Sequence, residues 1–589
     1  DRIQKTAEQV PQLMGRGDGL GSNSWVVSGA HTKSGKPLLA NDPHLGTSLP
    51  GVWEQMGLHC RRVGTECPFD VSGFTFSGVP GVVIGHNDEI AWGFTNLSAD
   101  VTDLYLEKLR GNATVYGKRT EPLKVRTETF KIAGKDEPVT ITVRESLHGP
   151  LISDVSDDLG TVGRLSAEAG PQAAARTGNE TYAVALRWTA LTPGRTADAL
   201  FAMDKARGWG AFRAAAKLFE VPSQNLVYAD RSGHIGYQAP GRIPIRGKGT
   251  GDWPAPGWDP SYEWKGYIPF SALPYEFDPP DGMVATANQA VVPASYPYHL
   301  TSDWDYGYRS QQIADRLAAA GKLDVGAMTR IQFDDLNRNA AMLVPHLLRI
   351  KVRDPWVREG QDTLRGWDFR EPAGSAAAAY FNVVWRDVLA LTFHDQMPEE
   401  TWPDGGSRWF EVVRNLVGRP GSQWWDDVRT KDKKETRDDI LRQALYDARK
   451  EITTAMARDP KYWKWGRLHT LTLRNQTLGE SGVGLVEKLF NRGPYELGGG
   501  SSVVDATAWD ASEGYEVTAA PSMRMVVDLS DLDKSRWINL TGVSGHAFHP
   551  NYVDQTKLWA TGRTLAWPYT REAVESARKH TLTLHPVSS

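Results

Sequence analysis

Short apolar segments separated by turn residues fill the chain from Ser22 to about Phe94. They are rich in β-branched and aromatic residues and predict successive strands; in order they read SNSWVVSG, KPLLAND, GVWEQMGLHC, DVSGFTFSG and GVVIGHNDEIAWGFT. Within the last segment, GHNDE lies between two apolar runs, which is typical of a hairpin turn. The first part of the chain is therefore expected to build sheet.

Helical spacing replaces this pattern in the middle of the chain. RSQQIADRLAAAG and RDDILRQALYDARKEITTAMAR have helical periodicity, and strand-like segments such as LHTLTLRNQ and SMRMVVDLSD return after Trp465. Strand-rich ends around a helical middle predict an α+β structure with a helical insertion. We expect a core of residues 22–300 and about 465–570 and a helix-rich excursion at about 309–460.

Composition excludes several functional classes. Hydrophobic residues make up 40% and charged residues 23% of the 589 residues, as in an ordinary globular protein. The net charge is −4 and the sequence has no polybasic run, so nothing indicates a nucleic acid partner. A bilayer span needs about 18 apolar residues, and the best candidate, SAAAAYFNVVWRDVLALTF, is interrupted by Asn382, Arg386 and Asp387. We predict no transmembrane segment.

The chain has only two cysteines, Cys60 and Cys67. Their spacing does not fit a CxxC metal or redox motif, and Gly64 between them would let the chain turn to close a small disulfide loop. Two unrelated buried thiols are the alternative. Sparing, paired use of cysteine is typical of an exported protein.

Common catalytic motifs are absent from the sequence. It contains no HExxH and no Cys/His cluster, so zinc catalysis has no support. A GxSxG nucleophile elbow is also missing. The glycine-rich LGGGSSVVD at 497–505 lacks the lysine of a phosphate-binding loop and predicts a tight backbone turn.

The stretch GRGDGLG precedes SNSWVV and admits two interpretations. It is either a loop that leads into a buried strand, or a segment that is cut before Ser22 so that this serine becomes a chain start. The local sequence leaves both open.

An ordered set of segments resembles the penicillin acylase family of N-terminal-nucleophile hydrolases. SNSW resembles the start of the catalytic β-chain of that family, and LLANDPHLG its second strand and turn; GVVIGHNDEIAWGFTN, ADVTDLY, GHIGYQAPGRIPIR, ATANQ, YRSQQIADRL and GVSGHAFHPNYVDQTKLW follow in the same order as in the family. The resemblance runs from Ser22 to about residue 570. It implies a four-layer αββα sandwich of two antiparallel sheets, a β-chain of residues 22–589, and an upstream segment of residues 1–21 that is either the end of the α-chain or a spacer.

The resemblance also implies cleavage between Gly21 and Ser22. A serine hydroxyl is a weak nucleophile without an adjacent base. The α-amino group of an N-terminal serine has an ordinary pKa of about 7.7–8.0 and can take the hydroxyl proton near neutral pH. Gly21 would leave room for the Ser22 hydroxyl to attack the preceding carbonyl. Ser24, the rival nucleophile, is an interior strand residue with no such base.

Four further catalytic assignments follow from the resemblance. The Asn288 side-chain amide and the Asn96 backbone N–H would form the oxyanion hole, His44 would contact or orient the Ser22 amino group, and Arg309 would organise the site through hydrogen bonds. The residues alone allow ordinary alternatives: a turn asparagine, a turn histidine, and a surface arginine at a helix start.

Asp100 and Asp103 match the calcium loop of the family, with the Thr102 carbonyl as a third ligand. Carboxylates and backbone oxygens suit Ca²⁺, although two aspartates three residues apart are also common in solvated loops. The resemblance further implies an α-chain partner cut from the same precursor, export from a bacterial cell, and no organic cofactor.

The expected activity is hydrolysis of an N-acyl amide by an amidohydrolase. The substrate could be a β-lactam side-chain amide, an N-acyl homoserine lactone, or an acylated peptide or lipopeptide. The alternative from another class is an uncleaved, inactive relative that only binds acylated ligands or partners.

Overall fold

The computed structural model describes residues 20–156, 159–161 and 180–585, so the predicted upstream segment lies outside it except for its last two residues. The described strands are β1 (Gly21–Val27), β2 (Leu38–Gly46), β3 (Ser48–Leu49), β4 (Trp53–His59), β5 (Asp70–Phe76), β6 (Ile84–Asn87), β7 (Ile90–Asn96), β8 (Thr102–Arg110), β9 (Ala113–Tyr116), β10 (Arg119–Pro122), β11 (Lys124–Phe130), β12 (Val139–Ser146), β13 (Gly149–Pro150), β14 (Glu180–Trp188), β15 (Gln224–Asp230), β16 (Ile235–Gln238), β17 (Pro244–Arg246), β18 (Ala255–Pro256), β19 (Trp264–Tyr267), β20 (Tyr275–Phe277), β21 (Met283–Thr286), β22 (Thr470–Asn475), β23 (Arg492–Glu496), β24 (Ala508–Trp509), β25 (Val517–Pro521), β26 (Met523–Asp528), β27 (Arg536–Asn539) and β28 (Leu565–Ala566).

The named α-helices are α1 (Thr196–Asp204), α2 (Trp209–Ala216), α3 (Tyr308–Ala319), α4 (Val325–Gln332), α5 (Arg338–Arg349), α6 (Pro355–Asp362), α7 (Ala376–Phe393), α8 (Ser407–Val417), α9 (Arg437–Ala455), α10 (Trp465–Leu468), α11 (Gly484–Phe490), α12 (Thr556–Ala560) and α13 (Arg571–Ala577). No helix of the described ranges is long and apolar enough to cross a membrane.

Two antiparallel sheets form the centre of the molecule. The first has the order β21-β1-β2-β26-β27-β28, with β24 and β25 extending it beside β2, and the second has the order β20-β16-β15-β7-β6-β5-β4. They pack face to face through side chains of alternate residues, such as Val26 and Leu39 from the first sheet and Phe74 and Val227 from the second. The first sheet therefore joins strands from both ends of the sequence.

Helices cover the outer face of each sheet. Trp25 and Leu38 point away from the second sheet and pack against Ile313 of α3 and Met328 of α4. On the other side, the ring of Phe212 in α2 lies 5.0 Å from that of Tyr228 in β15. Each of these strands is buried on both faces, which explains why their sequences are almost continuously apolar. The layers follow the predicted order, αββα.

The two sheets approach most closely beside the tip of β1, where Gly93 faces the first sheet. A Cβ at Gly93 would lie 2.8 Å from the Ser24 hydroxyl and 3.0 Å from Asn41 Oδ1. Asn41 then bridges the sheets, because its side-chain amide donates to the Phe94 carbonyl at 2.9 Å and accepts from the Phe94 N–H at 2.9 Å. This contact fixes the position of β7 relative to β1.

Helices α5, α6, α8 and α9 pack around α7. The side chains of α7 include the buried Phe381, Trp385 and Leu389. Ser375 caps α7, and Thr436 with Asp439 forms a capping box at the start of α9. The hydrophobic stretch that resembled a membrane span in length is thus a buried core helix. The predicted domain boundaries stay a prediction.

Cys60 and Cys67 form a disulfide in the connection between β4 and β5, with their Cα atoms 5.8 Å apart. Of the two alternatives that the sequence allows, the structure contains the disulfide loop.

Candidate active site

Ser22 lies at the tip of β1 and is 4% exposed. Its hydroxyl accepts a hydrogen bond from the Asn96 backbone N–H at 3.1 Å, and its own backbone N–H donates to Asn288 Oδ1 at 2.9 Å. β7 ends at Asn96, which lies beside β1. The Asn41 side chain holds the two strands together, because it donates both to the Asn23 carbonyl and to the Phe94 carbonyl. The structure therefore places both predicted oxyanion-hole residues next to Ser22.

Asn288 follows β21 in a left-handed backbone conformation, with φ of 71°. Asparagine tolerates this region better than most residues. Its Nδ2 donates to the Asn96 carbonyl at 2.9 Å, and its own carbonyl accepts from the Asp305 N–H at 3.0 Å. Asn288 is 7% exposed, and both polar atoms of its side chain are hydrogen-bonded. This is a fixed position rather than that of a solvated turn asparagine.

Arg309 lies in the first turn of α3 and is buried, which differs from a surface arginine at a helix start. Its Nη1 donates to the Ser22 carbonyl at 2.9 Å and to Asn23 Oδ1 at 2.8 Å. Its Nη2 donates to Asn288 Oδ1 at 2.8 Å and approaches Asp305 at 3.3 Å. The Arg309 guanidinium thus binds Ser22, the next residue Asn23, and Asn288, which also accepts from the Ser22 N–H.

His44 lies on β2 opposite Gly21 and is buried. Its Nε2 is 3.0 Å from Asp42 Oδ2 and 3.2 Å from the Asn23 side-chain nitrogen. The Ser22 N–H donates to Asn288 and not to His44. In the uncut chain, His44 is therefore a neighbour of the scissile peptide whose hydrogen bonds run to Asp42 and Asn23.

Asp42 is the buried residue at this site that the sequence does not predict. Burial raises the pKa of Asp42 to about 8, although Arg524 and Arg309 oppose this change. Burial, followed by the charge of Arg309, holds the pKa of His44 well below its ordinary value. Burial thus favours the neutral form of both hydrogen-bonded groups, because the interior penalises both charges. The signal in the sequence is the i, i+2 spacing of Asp42 and His44, which puts both on one face of a strand.

A cavity of about 430 Å³ opens beside these residues. His44, Asn96, Asn288 and Arg309 form its floor, and it is further lined by Leu20, Ser98, Asp303, Trp304, Asp305, Tyr306, Asp404, Gly406, Ser407, Arg408, Ser501, Ser502, Ala506, Ala508 and Trp509. Many of these residues come from loops at the edge of the helical insertion, where the sequence shows no periodic pattern. The cavity is a concave site with polar groups converging on Ser22.

The predicted calcium loop lies at the start of β8. Asp103 accepts hydrogen bonds from Arg246 Nε at 3.0 Å and Nη2 at 2.8 Å and from the Trp264 indole. Asp100 lies 3.0 Å from Arg246 Nη2, and Thr102 pairs with Trp188 across β8 and β14. Both Asp103 oxygens are thus bound by protein donors, so this carboxylate does not fit a metal ligand in the present arrangement.

Two antiparallel sheets between helical layers, with a serine at the tip of an inner strand, define the fold of the N-terminal-nucleophile hydrolases. The fold matches that of thermostable penicillin G acylase from Alcaligenes faecalis with a TM-score of 0.68 and 20% identity, over 96% of this chain and 100% of that one. The predicted fold class is confirmed.

Sequence comparison identifies the family. A sequence profile described as Penicillin amidase matches residues 2–576. The chain is 30% identical to the acyl-homoserine lactone acylase QuiP of Pseudomonas aeruginosa, over 96% of this chain and 69% of that protein. It is 31% identical to the penicillin acylase 2 proenzyme of Pseudomonas sp. strain SE83, over 92% of this chain and 66% of that protein. The chain belongs to the penicillin amidase family, which confirms the predicted class, an amidohydrolase.

The chain spans about two thirds of the length of these curated relatives. Which acyl group and which amine it accepts is a separate question, because the relatives are named for different substrates.

Proposed function

We propose that the protein is an autoproteolytically activated N-acyl amide hydrolase in which Ser22 is the nucleophile. The observation that carries this proposal is the placement of the Ser22 hydroxyl 3.1 Å from the Asn96 N–H, with the Ser22 nitrogen held by Asn288 at 2.9 Å. A hydroxyl, an adjacent nitrogen that becomes an amine on cleavage, and two amide donors are the groups that acyl transfer requires.

Activation begins with attack of Ser22 Oγ on the Gly21 carbonyl carbon. The bond between that carbon and the Ser22 nitrogen breaks, the nitrogen gains the hydroxyl proton, and an ester joins Gly21 to Oγ. Water then hydrolyses the ester, which releases a carboxylate on Gly21 and restores the Ser22 hydroxyl beside a free amine. A Cβ at position 21 would lie 2.8 Å from Asn288 Oδ1 and 3.1 Å from Arg309 Nη2, so glycine allows this close fit.

Hydrolysis of a substrate repeats the same chemistry. The Ser22 amine takes the hydroxyl proton while Oγ bonds to the acyl carbon, and the negative oxygen that forms is stabilised by the Asn96 N–H and Asn288 Nδ2. Collapse of this intermediate expels the substrate amine, which leaves with the proton. Water, activated by the Ser22 amine, then attacks the acyl ester and releases the carboxylic acid.

Arg309 supports both the nucleophile and the oxyanion donors. Its positive charge lies beside the position of the new amine and opposes protonation of that amine, since a nearby like charge disfavours the charged form. Its hydrogen bond to Asn288 Oδ1 at 2.8 Å also orients the Asn288 amide. The Asp42–His44 pair holds Asn23, which in turn accepts from Arg309.

We further infer an α-chain from the same precursor as partner, and export from a bacterial cell, in line with the resemblance and with a disulfide in a cysteine-poor chain. No step of this mechanism uses calcium. The substrate is an N-acylated small molecule or acylated peptide; a panel of N-acyl homoserine lactones, penicillins and chromogenic N-acyl amides of graded chain length would identify the acyl group.

Mass spectrometry of the expressed protein tests the proposal. We expect a chain that begins at Ser22, and we expect Ser22→Ala to stay uncut and inactive. Ser24→Ala is the matched control, because the Ser24 hydroxyl is buried and donates only to the Ala40 carbonyl; it should be cut and active. Turnover by Ser22→Ala would refute the assignment, and an intact Gly21–Ser22 bond in active protein would refute the mechanism.

An intact bond in a protein that binds N-acyl compounds without turnover would instead support the alternative of an inactive binding relative.

A further inference from the structure

A cluster of charges lies around the start of β8, where Asp100 is partly buried, Asp103 is buried and Asp252 is exposed. Asp100, Asp103 and Asp252 contribute carboxylates, and His299 lies within ligand distance of the first and third. The one guanidinium among them belongs to Arg246, at the end of β17, whose side chain is 5% exposed. Burial and the neighbouring Arg246 charge lower the pKa of His299.

Arg246 binds two residues of this cluster, Asp103 and Asp100. Its Nε lies 3.0 Å from each Asp103 oxygen and its Nη2 lies 2.8 Å from Asp103 Oδ1. The same Nη2 lies 3.0 Å from Asp100 Oδ1 and donates to the Asp100 carbonyl at 3.1 Å. Two carboxylates and a backbone oxygen therefore converge on a single positive group. This set of acceptors is also what a hard divalent cation requires.

Gly251 limits the remaining space. A Cβ at this position would lie 2.3 Å from Asp100 Oδ2, 2.7 Å from Asp103 Oδ1 and 2.8 Å from Arg246 Nη2. Its backbone, with φ of 99°, thus lies directly over the charge cluster. Ca²⁺ takes six to eight oxygen ligands at about 2.3–2.6 Å. With the guanidinium in place, both Asp103 oxygens and Asp100 Oδ1 are occupied, which leaves Asp100 Oδ2, Asp252 and His299, fewer side-chain ligands than such a shell takes.

We propose that the Arg246 guanidinium is the permanent cation of this loop and takes the position that the family resemblance gives to calcium. The loop therefore has its cation from within the chain and requires no metal for its folding. A guanidinium suits this role because its planar fork binds a carboxylate through two parallel hydrogen bonds and stays protonated when buried. The consequence is a scaffold whose stability does not respond to calcium.

The processed wild-type protein provides the first test. We expect its melting temperature to be the same within error after chelation with EDTA and in millimolar calcium chloride, and calorimetric titration with calcium chloride to show no saturable heat. A calcium-dependent rise in melting temperature that Asp100→Asn abolishes would overturn the proposal. This measurement needs no turnover and no unstable variant.

Arg246→Ala provides the second test. Removal of one partner leaves buried carboxylates uncompensated, so we expect the melting temperature to fall by at least about 2 °C. Calcium should now restore part of this loss, because the cavity and the carboxylates are free, and Asp103→Asn in the same background should remove the restoration. A folded Arg246→Ala protein with no response to calcium would overturn the proposal.

Arg242→Ala is the matched control. Arg242 also pairs with a partly buried carboxylate, that of Glu220, but it lies outside the acidic loop. Its loss should lower the melting temperature without creating a response to calcium; a calcium response of equal size in this variant would show that the effect is not specific to the loop and would also contradict the proposal.

Discussion

Arg309 and Arg246 are both buried arginines that each bind several acceptors, but the acceptors differ in charge. Arg246 binds two carboxylates, those of Asp100 and Asp103. Arg309 binds the neutral oxygens of Ser22, Asn23 and Asn288, and its one carboxylate neighbour, Asp305, lies 3.3 Å away. The charge of Arg246 is thus compensated in the resting protein, whereas that of Arg309 is compensated only in part.

This difference separates stability from catalysis. A compensated buried charge stabilises the fold only while its partners are present. An undercompensated charge can respond to negative charge that develops during a reaction, without reorganisation of the site. We therefore expect loss of Arg246 to affect unfolding and loss of Arg309 to affect turnover.

Exchange of each arginine for methionine tests this contrast and should give the largest effect. Arg309→Met should lower kcat/KM by about 10³-fold, because Ser22, Asn23 and Asn288 lose a shared donor. Arg246→Met should leave kcat/KM within about 3-fold of the wild type and lower the melting temperature instead. Kinetics on a chromogenic N-acyl amide, scanning calorimetry, and the processed fraction from mass spectrometry are the measurements. Equal losses of activity in the two variants would contradict the contrast.

Asn288→Gly should have the next largest effect. Glycine accepts the φ of 71° without strain, so the variant removes the amide while it keeps the backbone. We expect kcat to fall by about 10²-fold with little change in KM, as for loss of one oxyanion donor. Asn225→Gly also removes a buried amide, but it is not a matched control for Asn288→Gly. The Asn225 amide donates to the Thr95 hydroxyl and to the Asn96 carbonyl. An unchanged kcat in processed Asn288→Gly would show that Asn288 is not an oxyanion-hole donor.

Asp42→Asn should change the pH dependence of stability. The pKa of Asp42 is raised from 3.8 to about 8 in the folded protein. As the pH rises, the unfolded chain loses the Asp42 proton at a lower pH than the folded protein does. The stabilisation that comes from this bound proton is therefore present in full below about pH 4 and is lost as the pH rises towards 8. Asparagine has no such proton. The free energy of unfolding of the variant, relative to wild type, should therefore rise by roughly 3–4 kcal/mol between pH 5 and pH 8.

Denaturant titrations of the two proteins at pH 5, 6.5 and 8 provide this comparison. A difference that is constant over this range would show that Asp42 is ionised throughout, and the Asp42–His44 pair would then be ionic.

Asp305→Asn should have the smallest effect. Its 3.3 Å contact is longer than the 2.8–2.9 Å bonds that Arg309 makes to Ser22, Asn23 and Asn288, so kcat/KM should fall by no more than about 3-fold. Asp103→Asn is the counterpart at Arg246, and it should lower the melting temperature clearly because a buried pair is broken. A loss in Asp305→Asn as large as that in Arg309→Met would mean that the two guanidinium groups are compensated alike.

Sequence patterns predict much of this fold because they report local burial. Trp25-Val26-Val27 and Leu38-Leu39-Ala40 are apolar on both faces, since each strand lies between a second sheet and a helix layer. The resemblance predicts Asn96, Asn288, Arg309 and His44, which line one cavity, and Ser22, which bonds to three of them; their catalytic roles remain proposals.

Other features depend on contacts between distant parts of the chain. Arg246 meets Asp103 across 143 residues, and neither the spacing of the aspartates nor that of the arginine indicates this pairing. The cavity wall at Asp303–Tyr306 and Ser501–Ser502 is built from irregular loops, whose positions follow from the packing of the helical insertion. Such pairings become visible only when the sheets and helices are assembled.

Gly21 pairs with His44 as part of β1, and Leu20 lines the catalytic cavity. Breaking the peptide bond would therefore not by itself free the site for a substrate. The newly formed carboxylate end would still occupy the place next to the nucleophile, as a reaction product does, and the interval between cleavage and full activity would be set by its departure. A lag in activity after cleavage, shortened by trimming of the upstream segment, is the kinetic consequence.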